Sequence, residues 1–181
     1  MSNRLQRLLS LAILAVLLLV TLGCLRPMSN ENGVMYQFMD QTVAPEFTVT
    51  TTVGSKFSLS EQRGKVVVLF FTSVGCTVCT RQLPAMGQLY QEYRDKPIEM
   101  LAINVFPQYP KDEFLAYMAK NQGGDHLYVA EEGPSVAGLY QITSTGITVI
   151  VNKEGGMNRR YLPPGFNYSA LKFAVDELLS Q

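Results

Sequence analysis

The 181-residue chain contains no tryptophan, one histidine and three cysteines, and it has no run of basic residues. Lysine plus arginine and aspartate plus glutamate each total 15. Without a basic patch there is no electrostatic footprint for DNA or RNA, so no nucleic-acid partner is expected. A single histidine also leaves a structural zinc site short, because a closed site takes four ligands. No internal repeat is present, and a hydrophobic content of 47% suits one sizeable core and not two. What remains to be explained is an odd number of cysteines.

Long apolar runs are confined to the N-terminus. Residues 8–25 are uncharged, preceded by Arg4 and Arg7 and closed by Arg26. A positive leader before a leucine-rich run is the pattern of a secretory signal. The run ends in Thr21-Leu22-Gly23-Cys24, which resembles the lipobox of bacterial lipoproteins, whose cysteine is lipidated and becomes the new N-terminus. The sequence therefore predicts a lipoprotein signal over residues 1–23, with Cys24 as the lipidation site. An uncleaved anchor helix is the alternative, since so short a run lies at the lower edge of what spans a bilayer. Both readings put the rest of the chain on the extracytoplasmic face of a bacterial membrane, because the N-terminal arginines stay inside. Residues 24–41 lack periodicity and read as a flexible tether. Met28, Met35 and Met39 within it have no neighbouring His beside them and read as linker.

Only Cys76 and Cys79 are then left for chemistry. They follow Lys65-Val-Val-Val-Leu-Phe-Phe-Thr-Ser-Val-Gly75, a run apolar on both faces that predicts a buried central strand. Beyond them Leu83, Met86, Leu89, Tyr90 and Tyr93 recur at helical spacing, so the pair sits where a strand hands over to a helix. Free amide groups and the positive end of the helix dipole there favour a thiolate on Cys76. Two cysteines three apart on a helix face one another closely enough for a disulfide. A purely structural bridge is the bland reading, but so small a loop gains little chain entropy and makes a poor staple.

The remaining pattern alternates strands and helices. Strands are expected near residues 44–53, 56–59, 98–105, 126–130 and 146–151, with a partner strand up to Tyr161 after a turn at Asn152-Lys-Glu-Gly-Gly156. Helices are expected over 111–121, with Phe114, Leu115 and Met118 inward, over 134–140, and from Tyr168 with Leu171, Ala174, Val175 and Leu178 on one stripe. Pro84 lies inside the helix after the cysteines. Such alternation gives a layered α/β sandwich.

Four stretches carry a family resemblance: Ala44-Pro-Glu-Phe47; Gly64-Lys-Val-Val-Val-Leu-Phe-Phe71; Cys76-Thr-Val-Cys79 with Pro84; and Tyr140-Gln-Ile142 with Thr148-Val-Ile-Val-Asn-Lys-Glu-Gly155. Together they resemble the thioredoxin-like fold, specifically the membrane-anchored TlpA/ResA-like thiol-disulfide oxidoreductases, related to the redoxin and AhpC/TSA proteins. The resemblance implies a three-layer α/β/α sandwich with a mixed central sheet over residues 42–181. It also implies a redox-active Cys76–Cys79 disulfide that exchanges with protein disulfides as a reductase, recharged by a membrane electron-donor thiol protein. It implies no cofactor and no metal. The departures are specific. The family's tryptophan before the first cysteine is Gly75 here, its cis-proline falls on Gly146, its glutamate three residues after the second cysteine is Gln82, and thioredoxin's buried aspartate maps onto Phe70. Gly75, Thr145 and Gly146 are expected to line an open substrate groove, with a trans Thr145–Gly146 bond because a non-proline cis bond is costly.

Two other functions fit the same residues. The segment around Cys79 resembles the peroxidatic-cysteine stretch of peroxiredoxins, although Thr72 and Cys76 stand where that family has proline and threonine. A copper carrier would use Cys76, Cys79 and His126, since thiolate and imidazole suit Cu(I). His126 itself is expected as a surface or strand-edge histidine.

Overall fold

The computed structural model describes residues 28–29, 35–39, 42–106 and 108–181. The predicted signal and Cys24 lie outside these residues. In chain order the elements are β1 (Met28–Ser29), β2 (Met35–Phe38), β3 (Thr48–Thr50), β4 (Lys56–Ser58), a short 3-10 turn (Leu59–Gln62), β5 (Val66–Thr72), α1 (Thr77–Tyr93), β6 (Ile98–Asn104), α2 (Lys111–Lys120), β7 (Leu127–Val129), α3 (Gly133–Leu139), β8 (Ile147–Val151), β9 (Met157–Tyr161) and α4 (Tyr168–Leu179).

Strand β5 buries all seven of its side chains, as its unbroken apolar run predicts. It lies inside a sheet ordered β1-β2-β9-β8-β5-β6-β7, parallel to β6 and antiparallel to β8. Strand β6 is parallel to β7, and the β8–β9 pair is an antiparallel hairpin. The sheet is therefore mixed. Alternate residues of β5 feed two cores: Val66, Val68 and Phe70 meet Leu83, Met86, Phe114, Met118 and Leu171 on one face. Val67, Leu69 and Phe71 meet Phe47, Phe57, Val136 and Tyr140 on the other. Helices α1, α2 and α4 cover the first face, while α3 and the β3–β4 hairpin cover the second, which completes the three layers.

Local signals end the helices where expected. Asn167 caps α4, its Oδ1 accepting from the Ala170 amide at 2.9 Å. Pro84 sits on the exposed side of α1. Leu115 of α2 is half-buried, whereas Phe114 and Met118 are fully inside.

One stretch differs from its sequence reading. Within the expected tether, Met35–Phe38 is a strand that pairs with β9, Tyr36 opposite Tyr161, and Met28–Ser29 pairs with it in turn. The chain before residue 42 thus extends the sheet at its β9 edge. Four residues are too few for a period to be read, and what holds them is the free edge of β9, which is remote in sequence.

Helix α3 reaches β6 through Gly133, where an added Cβ would lie 1.8 Å from the Asn104 carbonyl oxygen. Backbone cannot yield there as a side chain can. Gly133→Ala is expected to lower stability by about 1–3 kcal/mol, read as a lower midpoint in denaturant titration.

Candidate functional site: a dithiol at a strand–helix joint

Strand β5 ends at Thr72, and Ser73, Val74 and Gly75 carry the chain to α1. Gly75 is exposed with φ +76°, a left-handed turn that glycine enters without strain. Cys76 is the N-cap of α1, and its Sγ accepts from the Cys79 amide at 3.1 Å. Sulfur thus takes the place that serine or aspartate oxygen holds at other helix starts. Cys76 and Cys79 are disulfide-bonded, with Cα atoms 5.2 Å apart. Their surroundings differ: Cys76 is half-buried and reachable, while Cys79 is 0% exposed and belongs to the core of the helix-covered face.

A hydroxyl pair fixes the backbone of Cys76. Its carbonyl lies 3.0 Å from Tyr117 Oη of α2 and 3.1 Å from Thr80 Oγ1, and the two hydroxyls are 2.9 Å apart. Both hydroxyls are within donating distance of the carbonyl, and either can donate to the other. Helix α2 is thereby tied to the redox turn.

Gly146 stands across from the second turn of α1. It has φ +83°, and an added Cβ would meet Val78 Cγ1 at 2.9 Å and Gln82 Oε1 at 3.2 Å. Thr145–Gly146 is trans; among the described residues the one cis peptide is Pro163–Pro164. The open groove expected at Gly146 takes a different form, however. Gly146 is buried, its amide donates to the Phe71 carbonyl at 2.8 Å, and its carbonyl accepts from Gln82 Nε2 at 3.2 Å. Both backbone groups are used inside the protein. Proline could not adopt this φ and would forfeit the amide bond. Gly75, which adjoins Cys76 in the chain, is exposed, Thr145 is half-buried, and Thr143 and Ser144 are exposed.

The polar ring behind the dithiol is neutral. Phe70, at the position of thioredoxin's buried aspartate, is fully buried against Phe166 with ring centroids 6.3 Å apart. Gln82 is 1% exposed and lies against Gly165 as well as Gly146: an added Cβ at Gly165 would sit 1.6 Å from Gln82 Nε2. Two loops are closed onto α1 through this one amide.

Residues 41–160 match the AhpC/TSA family. The chain belongs to that family. Among curated relatives it is 29% identical over 113 residues to the thiol-disulfide oxidoreductase ResA of Bacillus thuringiensis, covering 62% of this chain and 63% of that one. Over 115 residues it is 31% identical to ResA of Geobacillus kaustophilus, covering 63% and 64%. The chain thus spans less than two thirds of the length of these relatives. A thioredoxin-family thiol:disulfide interchange protein from Chlorobium tepidum superposes with a TM-score of 0.63 at 18% identity, over 77% of this chain and 97% of that one. The fold of this AhpC/TSA-family protein is thioredoxin-like.

His126 immediately precedes the edge strand β7, so the strand-edge half of its sequence reading holds and the surface half does not. It is 4% exposed, not a surface histidine, and stacks beside Tyr128 and Tyr90 at centroid distances of 4.9 and 5.9 Å. Tyr90 lies eleven residues beyond Cys79 on α1, about 16 Å along the axis, so His126 is not brought to the cysteines. Among the described residues no group of three His, Cys, Asp or Glu side chains is placed to hold a metal. The copper-carrier grouping of Cys76, Cys79 and His126 is therefore not formed. Sequence reasoning missed Tyr117, and it named Gln82 only as the replacement of a family glutamate, not as the amide that meets Gly146 and Gly165. Helical spacing marked neither, since each acts across elements that are remote in sequence.

Neither nitrogen of His126 has a hydrogen-bond partner, and burial pushes its pKa down to about 4 from 6.5. The unfolded chain binds a proton below 6.5 that the folded protein refuses until about 4. Stability attributable to this residue is intact above pH 6.5 and falls by up to about 3 kcal/mol as the pH drops to 4. His126→Phe is expected to flatten that part of the stability–pH curve, measured by urea titration from pH 7 to pH 4.

Proposed function

We propose that this protein is an extracytoplasmic, membrane-tethered thiol-disulfide oxidoreductase that reduces protein disulfides through Cys76 and Cys79. The observation that carries the reading is the asymmetry of the pair: a reachable sulfur at the start of a helix, bonded to a wholly buried one. The relatives named ResA support the reaction class.

In the reduced protein Cys76 is the nucleophile. The Cys79 amide aimed at its Sγ and the N-terminus of α1 stabilise the thiolate. The thiolate attacks one sulfur of a substrate disulfide. That S–S bond breaks, a mixed disulfide with Cys76 forms, and the other substrate sulfur leaves as a thiolate that takes a proton from water. Cys79 then loses its proton and attacks Cys76 Sγ, releasing the second substrate sulfur as a thiol. Two electrons pass to the substrate, and the protein is left with its Cys76–Cys79 disulfide. A membrane thiol protein of the reducing side returns the dithiol. Gly75 and residues 143–145 form the rim that an extended substrate chain meets.

The exposures argue against a peroxidase. That reaction needs a peroxide to reach Cys79, and this sulfur is fully covered. Residues 1–23 act as a lipoprotein signal in this reading, with the mature chain held by lipid on Cys24 and the domain from about residue 42 facing outward. Among the described residues no helix is long and apolar enough to cross a membrane.

Alkylation of the reduced protein is expected to label Cys76 first. Cys79→Ser should accumulate a mixed disulfide with insulin, seen by mass, while turnover falls by about two orders of magnitude or more because resolution is lost. Preferential labelling of Cys79, with peroxide consumption, would favour the peroxidase instead. Cys24→Ala is expected to move the protein from the membrane to the soluble fraction. Identical unprocessed masses for variant and native chain would replace the lipid anchor with an uncleaved helix.

A further inference from the structure

Among the described residues, the buried side-chain atoms without a protein hydrogen-bond partner include Thr72 Oγ1, Asn104 Nδ2, Thr148 Oγ1 and Gln82 Oε1. Sheet register puts the first three on a single face. Thr72 is paired with Asn104 across β5 and β6, and continues the alternation of Val66, Val68 and Phe70, whose side chains enter the helix-covered core. Thr148 lies opposite Phe70 on β8, and Gly146, two residues earlier and just before that strand, donates its amide to Phe71 next to Thr72. A polar row therefore crosses the ends of three strands under the first turns of α1.

The facing of α1 fixes what lies over that row. Val78 and Gln82, one turn apart, press on Gly146 at the β8 side. Thr80 turns to Tyr117 of α2 on the β6 side. Cys79 is 0% exposed and points between these two directions, down toward β5, in the same core as Phe70. A buried polar group without a protein partner keeps its hydrogen-bonding capacity free, so Thr72 and Asn104 can serve a sulfur that acquires charge beside them.

The geometry points to Thr72, with Asn104 beside it, as the hydrogen-bond donor that serves the Cys79 sulfur once the disulfide opens. This rests on the exchange reading of the pair. In the resolving step Cys79 forms its bond to Cys76 Sγ, and the bond from Cys76 to the substrate sulfur breaks. The electron pair leaves on the substrate sulfur, which takes up the proton that Cys79 gave up. A buried sulfur must pass through its thiolate to do this. With no carboxylate at Phe70 or Gln82, the Thr72 hydroxyl and the Asn104 amide are the neutral groups at hand to hold that charge. The hydroxyl also accepts from the thiol when the proton returns. Among the described residues, the titratable side chains shown at this end of α1 are Cys76 and Tyr117 of α2, with exposed Arg81 on α1 itself. Strands β5 and β8 and residues 162–165 carry none, and Glu99 lies at the opposite end of β6.

The test follows both sulfurs in one experiment. The reduced full-chain protein is mixed with dithiobis-nitrobenzoate, an aromatic disulfide. A first release of thionitrobenzoate reports Cys76 attack, and a second reports Cys79 resolving the mixed disulfide. Thr72→Val is expected to slow the second release about tenfold at neutral pH and to move its pH profile up by about one pH unit, leaving the first release unchanged. Thr72→Ser, which keeps the hydroxyl, restores the profile, and Thr72→Ala repeats the test with a smaller side chain. An unchanged second release in both Thr72→Val and Thr72→Ala overturns the assignment, as does an equal change in both releases. A wild-type protein that never shows the second release is a different failure: it overturns the exchange reading of the pair, and this assignment with it.

Discussion

Strand β5 has no side chain that water can satisfy, so everything near it exists to cover it. Seven consecutive buried residues require a neighbour on each edge and a layer on each face. Strands β6 and β8 supply the edges. Helices α1 and α4 and the β3–β4 hairpin with α3 supply the faces. The chain leaves this strand where the sheet stops, and the left-handed turn at Gly75 lets α1 begin at once and fold back over the same core. The cysteine pair sits at that joint, where a wholly buried element reaches the surface. Cys76 is on its outer side and Cys79 on its inner side.

Close backbone approach, more than side-chain bulk, sets the shape around the pair. Gly146 and Gly165 let two loops close on α1, and both rest on the Gln82 amide. A long amide can bond one loop and fill space beside the other, where a carboxylate would carry a charge into a site with no cation to balance it. Phe70 fits the same pattern, giving an aromatic contact to Phe166 where a charge would have to be desolvated. The disulfide therefore lies over buried residues that are polar or aromatic without being ionised. The fixed partial charges that bear on it come from backbone amides at the start of α1 and from hydroxyl groups.

Most of the element order was legible from the chain. The alternation of strand and helix, the central strand, the closing hairpin and the stripe Leu171, Ala174, Val175 and Leu178 all follow from periods of two and 3.6 residues, which neighbours in sequence encode by themselves. The position of Cys76 and Cys79 at a strand–helix joint is equally local. Less could be read of what surrounds them. Tyr117 reaches Cys76 from another helix, Gln82 reaches loops more than sixty residues away, and residues 35–38 became a strand only because β9 had a free edge.

The sequence by itself determined where the chain turns, which faces are apolar and that two thiols share one helix turn, since each depends on residues a few positions apart. The tertiary structure alone decided that His126 is enclosed by Tyr90 and Tyr128, that Gly146 spends its backbone groups inside, and that Thr72 and Asn104 stand together. Burial and hydrogen-bond partnership are properties of contacts between distant segments. They come into being only when the layers close on β5.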